Sequence, residues 1–221
     1  PRVGVVFGQI SLRGSTSCLE RFQAFDQPLI HQWNCGTAGL GMPGSAFGNN
    51  LACRRRVLEQ LGGFLGLGDT LTEDAALVSA AAKKGWRVRA ATSRRTRIAT
   101  RPQPTWRSFL DQHLRWNTGA FFHQEAATRW SYRFIVLFLT ASVLALPLCF
   151  WFPSLAMLPA ASFIAVGLMG LLAGTLYDDE PLSSLLWLIP NTLFFMGFYS
   201  WVTILSMIRA TPEWKGKKLK G

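Results

Sequence analysis

Residues 134–177 read FIVLFLTASVLALPLCFWFPSLAMLPAASFIAVGLMGLLAGTLY, a run of 44 residues without Asp, Glu, Lys, Arg or His. As a helix this run would be about 66 Å long, roughly twice the hydrocarbon thickness of a bilayer. Pro153 and Ser154 lie where it would fold back on itself. A second uncharged run, 182–208, is long enough for one crossing. If both runs were core helices of a soluble protein, a large shell would have to cover them, and too little sequence remains to supply it. We therefore predict about three membrane helices within residues 134–208.

The positive charge lies on the other part of the chain. Residues 1–133 carry a formal net charge of +10, whereas residues 134–221 carry +1. A basic segment of this kind attracts nucleic acid, anionic lipid headgroups or a phosphorylated substrate. Arg129 and Arg133, just before the first uncharged run, place the basic segment in the cytoplasm by the positive-inside rule. We therefore expect a multi-pass protein of the inner cell membrane, with membrane lipids and no nucleic acid among its partners.

The charge pattern leaves the side of the carboxyl terminus open. The basic tail, residues 209–221, favours the cytoplasm and hence an even number of crossings, whereas the number of apolar segments favours three. The acidic stretch 178–180 is compatible with either side.

Composition argues against several other classes. With 49% hydrophobic and 16% charged residues, the chain is not a disordered tail. Its four cysteines and three histidines are scattered and form no Cys-x-x-Cys pair. This argues against a zinc module and against a disulfide-stapled secreted fold, and favours a reducing compartment.

The segment before the membrane runs has an α/β pattern. Apolar or alternating residues predict strands at 3–7 and 86–90. Capping boxes at 17–20 and 70–73 predict two helices, the second of which ends at a glycine after two lysines. Five glycines and a proline between residues 36 and 48 predict a loop.

Residues 39–44, GLGMPG, match the Gly-x-Gly-x-x-Gly pattern of dinucleotide-binding folds. That pattern has to follow a strand and open a helix at its last glycine. Here polar residues 34–37 precede it and Pro43 interrupts it. We interpret these residues as loop and expect no Rossmann cofactor.

Thr72-Glu73-Asp74 allows two interpretations. Acidic residues in the first turn of a helix complement the helix dipole, which is a purely structural role. Alternatively, one carboxylate at a helix start beside a glycine-rich loop could act as a general base.

Gln112, Arg115 and Trp116 share one face if a helix starts near Pro104 and Thr105. An amide, a guanidinium and an indole suit an anionic, sugar-bearing ligand, because Arg forks onto phosphate oxygens and Trp stacks on a sugar ring. The alternative is an interfacial helix whose Arg and Trp side chains extend to the membrane surface.

Two motifs together resemble those of family 2 membrane glycosyltransferases, which include cellulose, hyaluronan and poly-N-acetylglucosamine synthases and ceramide-glucosyltransferase-like enzymes. They are residues 72–74 (TED) and, about forty residues later, residues 112–116 (QHLRW), just before the apolar runs. Residues 85–88 (GWRV) lie between them, and residues 48–55 (GNNLACRR) and 61–64 (LGGF) also resemble family segments. The resemblance covers residues 1–133 well and the membrane part in outline.

The resemblance implies a truncated GT-A type α/β domain followed by transmembrane helices. It implies that Asp74 is the general base for inverting attack on the anomeric carbon and that Glu73 shapes the turn at the substrate. It also implies a divalent metal, Mg or Mn, held by an Asp-x-Asp motif upstream of residues 3–7. That motif lies outside this chain, so we expect no metal ligand here. We further expect the chain to be the carboxyl-terminal part of a longer enzyme and to be inactive alone.

The same resemblance assigns the remaining substrate contacts. Gln112, Arg115 and Trp116 are implied to hold the donor diphosphate and to border the acceptor channel. Gly48, Asn49 and Asn50 are implied to line the acceptor pocket.

The expected organisation has four parts. Residues 1–103 belong to the transferase domain, 104–133 to an amphipathic interface region, 134–208 to the membrane helices and 209–221 to a basic tail. The expected function is inverting transfer from a nucleotide-diphosphate sugar to a lipid, lipid-linked or polysaccharide acceptor, and the short membrane part favours a lipid. The alternative is a non-catalytic, membrane-anchored basic domain that binds anionic lipid or nucleic acid.

Overall fold

A computed structural model of the chain describes residues 2–12, 17–68, 70–123, 125–177, 185–208, 213–214 and 217–218. The chain divides into two compact units, residues 1–103 and residues 104–221.

The first unit is built on strand β1 (Val3–Gly8). Strand β2 (Ile10–Leu12) follows it directly. The next strand, β3 (Leu51–Cys53), pairs antiparallel with β1, and β4 (Arg87–Ala91) pairs with β1 in parallel. A last strand, β5 (Ile98–Thr100), pairs in parallel with β2. The two predicted strands are thus confirmed as β1 and β4, and β1 is apolar because it lies in the middle of its sheet.

Helix α1 (Cys18–Gly39) starts at the predicted capping box. The Ser17 hydroxyl accepts a hydrogen bond from the Glu20 N–H, and the Glu20 carboxylate accepts one from the Ser17 N–H. The predicted loop from residue 36 is wrong in its first part, because α1 continues to Gly39. Two glycines near its end cost about 1 kcal/mol each, and burial of Ala38 against the sheet offsets part of that cost.

Helix α2 (Arg55–Gln60) is short, and α3 (Glu73–Lys83) precedes β4. The predicted capping box at residues 70–73 is wrong: Thr72 is the N-cap, and its side chain makes no capping bond. Instead, the Thr70 hydroxyl accepts a hydrogen bond from the Thr72 N–H, which forms a turn ahead of the helix. The predicted terminator is confirmed, since Gly85 has a φ of +80° after the last turn.

The core of this unit lies between the sheet and the three helices. Its buried residues are small or β-branched except for one aromatic ring: Val5, Phe7, Ala38, Ala46, Val57, Val78, Ala81 and Val88. This core holds β1, β3 and α3 together, and the candidate site lies at the start of β3 and of α3.

The second unit is helical. It contains α4 (Trp106–Phe121), α5 (Ala126–Ala145), α6 (Met157–Tyr177) and α7 (Leu188–Met207), and a short pair of strands, β6 (Glu213–Trp214) and β7 (Lys217–Lys218), follows. Three helical stretches are long and apolar enough to cross a membrane: Ala126–Phe150, Pro153–Leu176 and Leu188–Met207.

These stretches agree with the predicted apolar helices in number and position, and the helix break before Pro153 lies where the reversal was predicted. The first of them begins before the uncharged run and includes Arg129 and Arg133. Only 22–28% of each stretch is buried by protein, so most of its apolar surface is left for lipid. The acidic residues 178–180 and most of the basic tail lie outside the described residues.

Candidate functional site

Asp74 is held by backbone amides on both of its carboxylate oxygens. It is the second residue of α3 and is half-buried. Its Oδ2 accepts a hydrogen bond of 2.9 Å from the Gly48 N–H, and its Oδ1 accepts one of 2.8 Å from the Ala75 N–H. An ionised carboxylate only accepts hydrogen bonds, so two amide donors suit this form and fix its orientation. A carboxylate oxygen has more than one lone pair, so accepting one hydrogen bond does not prevent it from taking a proton.

Gly48 allows this contact because it has no side chain. It begins the 3-10 turn Gly48–Asn50 that leads into β3. A Cβ at this position would lie 3.2 Å from Asp74 Oδ2 and 3.3 Å from Asp74 Cβ, which is tighter than most real contacts. A side chain at this position would therefore push the carboxylate away by a few tenths of an ångström, and glycine avoids this.

Asn50 connects three parts of the first unit. Its side-chain amide donates hydrogen bonds to the carbonyl of Gln9 at 2.7 Å and to that of Thr96 at 3.0 Å. A Cβ on Gly8 would lie only 2.5 Å from Asn50 Nδ2, so the fit is close. The amide nitrogen of Asn50 is thus engaged by the scaffold, and its place in an acceptor pocket stays a prediction.

The other two predicted residues of this unit, Asn49 and Glu73, are exposed. Glu73 is the first residue of α3 and directly precedes the base candidate Asp74. The structure thus brings Gly48 and Asp74 into direct contact, with Asn49 and Glu73 next to them in sequence.

Helix α4 carries the predicted donor motif on one face. It begins at Trp106, where Thr105 accepts a capping hydrogen bond of 3.1 Å from the Ser108 N–H. Gln112, Arg115 and Trp116 lie together on a half-buried face. The other side is buried and consists of Phe109, His113, Leu114, Asn117, Thr118 and Phe121.

The buried side of α4 packs against α7 through aromatic rings. Phe109 stacks on Phe198 with ring centroids 5.0 Å apart, and the His113 ring lies 5.3 Å from Phe198 and 5.8 Å from Tyr199. His113 also contacts Trp116, with ring centroids 5.0 Å apart. Phe109 is fully buried by these contacts. This packing fixes the direction in which the motif face points.

Sequence reasoning missed a cavity in the first unit. It has a volume of about 570 Å³ and is lined by Arg2, Arg54, Arg55, Arg56 and Trp86. The cavity lies at the start of β1, where the Arg54 side chain donates a hydrogen bond of 2.7 Å to the carbonyl of Val3. Asn50 lies beside the other end of β1, so the cavity and the predicted acceptor residues are at opposite ends of this strand. The three consecutive arginines and the net charge of +10 were the available signal.

A buried histidine was also missed. His31 on α1 is fully buried, and its Nε2 lies 3.3 Å from the Sγ of Cys35. Burial, and secondarily the positive charge of Arg97, lower the pKa of His31 to about 4, from its ordinary value of 6.5. His31 is therefore neutral in the folded protein near pH 7.

The divalent metal that the resemblance implies stays a prediction. Among the described residues, no group of three or more His, Cys, Asp or Glu side chains is placed to hold a metal ion.

A family model described as glycosyl transferase family group 2 matches residues 1–207. No curated protein gives a significant match to the chain. The match includes both motifs on which the predicted resemblance depends, residues 72–74 and 112–116, and confirms that resemblance. Because it extends over all but the last residues, the chain belongs to glycosyl transferase family group 2.

Proposed function

We propose that this protein transfers a sugar from a nucleotide-diphosphate sugar to a lipid, lipid-linked or polysaccharide acceptor at a membrane surface, with inversion at the anomeric carbon. Membership of the family supports sugar transfer in general. The observation that carries the finer proposal is the Asp74 carboxylate, oriented by the Gly48 and Ala75 amides at the start of a helix.

In this proposal Asp74 is the general base. It takes the proton of the acceptor hydroxyl as that oxygen attacks the anomeric carbon. The new carbon–oxygen bond forms on the face opposite the diphosphate, the bond to the diphosphate oxygen breaks, and the nucleoside diphosphate leaves with the electron pair. Inversion follows from this single displacement. A positioned base typically contributes about 10²–10⁴ in rate.

Arg115, Gln112 and Trp116 are the proposed donor contacts. A guanidinium presents two parallel N–H donors, which match two oxygens of a diphosphate. Gln112 adds an amide, and the ring of Trp116 offers a face for a sugar. The packing of α4 on α7 supports this role, because the motif face then has a defined direction.

The proposed setting is the inner cell membrane, with the first unit in the cytoplasm. Three helices long enough to cross a bilayer and the basic charge of residues 1–133 support it. We propose a lipid or lipid-linked acceptor ahead of a polymer, since three apolar helices bring the protein to a lipid surface.

The test is an assay of the native protein in its own membranes with a panel of radiolabelled UDP- and GDP-sugars. We expect label to enter an organic-extractable product with one nucleotide sugar and not with membranes that lack the protein. Label in a water-soluble polymer alone would overturn the lipid acceptor, and no transfer from any donor would overturn the function.

A second candidate function has one observation in its favour. The arginine-lined cavity suits the phosphate of an anionic lipid, as a non-catalytic basic domain would require. Native mass spectrometry of retained phosphatidylglycerol would test it, with Arg56→Gln as the cavity variant. Arg89→Gln on β4 is a matched control, because Arg89 is also exposed but does not line the cavity. Lipid loss in Arg56→Gln only, from a protein without transferase activity, would favour this candidate.

A further inference from the structure

We propose that Asn117 is a positioning residue of the transferase, which holds α4 in the rotation that presents Gln112, Arg115 and Trp116 to the donor. This inference rests on the proposed function and adds a residue outside both recognised motifs.

Asn117 is buried inside the protein and links three helices through hydrogen bonds. Its side chain is 2% exposed. Its Nδ2 donates a hydrogen bond of 2.8 Å to Oγ of Ser206 on α7, and its Oδ1 accepts one from the hydroxyl of Tyr132 on α5. Thr118, the next residue of α4, donates from its hydroxyl to the same Ser206 oxygen at 3.2 Å.

The position of Asn117 on α4 determines what this anchor controls. Asn117 is four residues after His113 and eight after Phe109, on the side that packs against α7. The donor motif lies on the other side. A rotation of α4 by about 20° would move groups at the helix surface, about 5 Å from the axis, by about 2 Å. Misplacement by about 1 Å can lower a rate about a hundredfold.

Aromatic packing alone would hold this rotation less well. The rings of Phe109 and Phe198 are stacked, and contacts between flat apolar surfaces restrict sliding less than hydrogen bonds do. The Asn117 amide fixes direction because its donor and acceptor have separate partners, Ser206 on α7 and Tyr132 on α5. Loss of the Tyr132 hydroxyl removes the hydrogen bond to Oδ1, and loss of Ser206 leaves Nδ2 with only the long 3.5 Å contact to the carbonyl of Val202 on α7, so the helix would shift to restore these bonds.

The chain offers a matched control for a general loss of stability. Ser142 on α5 and Ser162 on α6 also form a buried hydrogen bond between helices, 2.8 Å long. Ser142→Ala and Ser206→Ala are the same substitution at fully buried serines, but only Ser206 bonds to α4. Tyr132→Phe removes one hydroxyl with little change of shape and is a second variant if Asn117→Ala fails to fold.

The experiment uses the native protein in membranes, with the nucleotide sugar that the wild type accepts in the panel. Rates against donor concentration are measured for Asn117→Ala, Ser206→Ala, Tyr132→Phe and Ser142→Ala, together with hydrogen–deuterium exchange of the α4 amides. We expect the first three variants to raise the donor KM several-fold, to lower kcat/KM about tenfold or more and to speed exchange in α4. Ser142→Ala should stay within about twofold of the wild type in kcat/KM, with wild-type exchange in α4.

Two results would overturn the inference while leaving the proposed function in place. One is a wild-type donor KM in active Asn117→Ala and Tyr132→Phe proteins. The other is an equal loss in Ser142→Ala, since the effect would then come from stability of the helix bundle. A wild-type protein that transfers no sugar from any donor would instead overturn the proposed function, and the positioning role of Asn117 with it.

Discussion

The backbone N–H of Gly48 donates a hydrogen bond of 2.9 Å to Oδ2 of Asp74, which lies 26 residues further along the chain. The turn that precedes β3 is thereby joined to the first turn of α3. The orientation of the Asp74 carboxylate therefore depends on the turn that begins at Gly48 as well as on α3. Gly48, in the segment 48–55, thus directly contacts the motif at residues 72–74.

Gly48→Ala should therefore impair transfer without unfolding the protein. The added methyl group would lie 3.2 Å from Asp74 Oδ2, so the carboxylate has to shift by a few tenths of an ångström. We expect kcat to fall about tenfold to a hundredfold. The measurement is the initial rate at saturating donor and acceptor, with the thermal midpoint measured in parallel.

Gly36→Ala is the matched control for that variant. Gly36 lies in α1, and among the described residues no atom outside its chain neighbours and the nearby backbone of its own helix lies within 4 Å of a Cβ at this position. Because alanine favours helix over glycine by about 1 kcal/mol, this variant should keep full activity and gain some stability. Equal activity of the two variants would show that the Gly48 contact does not orient the base.

Arg115→Lys distinguishes a diphosphate contact from a side chain that extends to the membrane surface. An ammonium carries the same charge but lacks the planar pair of donors. Losing one charged hydrogen bond costs about 1.5–3 kcal/mol, so kcat/KM for the donor should fall about tenfold to a hundredfold. Membrane association should not change.

Arg107→Lys, on another face of α4, is the control for Arg115→Lys and should behave like the wild type. If both lysine variants had wild-type kinetics, the motif face would have no role in donor binding, and α4 would be a structural helix only.

His31 should make stability depend on pH below neutrality. Its pKa is about 4 in the folded protein against an ordinary 6.5, so the unfolded chain binds the proton more readily between these values. The contribution of neutral His31 is complete above pH 6.5 and is lost as the pH falls towards 4, by at most about 1.4 kcal/mol per pH unit. Thermal midpoints of the detergent-solubilised protein between pH 7.5 and 5 should thus fall more for the wild type than for His31→Gln. Equal slopes would contradict this.

The 221-residue chain should remain with membranes after an alkaline carbonate wash. Its three apolar helices leave most of their surface uncovered by protein, and transfer of that surface to water is unfavourable. Size-exclusion chromatography without detergent is the second measurement. A monodisperse species of 24.6 kDa in plain buffer would contradict the membrane assignment.

Features that depend on neighbours in sequence could be predicted. The capping box of α1 involves Ser17 and Glu20, three residues apart, and the motif face of α4 follows from helical spacing. The membrane helices follow from the length of the uncharged runs alone. The end of α1 could not be predicted, because contact of Ala38 with the sheet outweighs the low helix propensity of the neighbouring glycines.

The parts of the candidate site that depend on distant residues could not be predicted. Asn117 and Ser206 are 89 residues apart, and no periodicity in the sequence relates them. Arg2 and Arg54 line one cavity only because β1 and β3 are paired. The sequence shows each of these residues, but which of them come into contact depends on the tertiary structure.

Asp74→Asn tests the central claim most directly. The amide keeps the shape of the side chain but cannot take a proton from the acceptor, so kcat should fall by about 10²–10⁴ while the dissociation constant of the donor stays near the wild-type value. Both quantities are measured on the native protein in its membranes, with the nucleotide sugar it accepts. Loss of turnover with donor binding retained is the predicted result, and wild-type turnover in Asp74→Asn would contradict the assignment of Asp74 as the base.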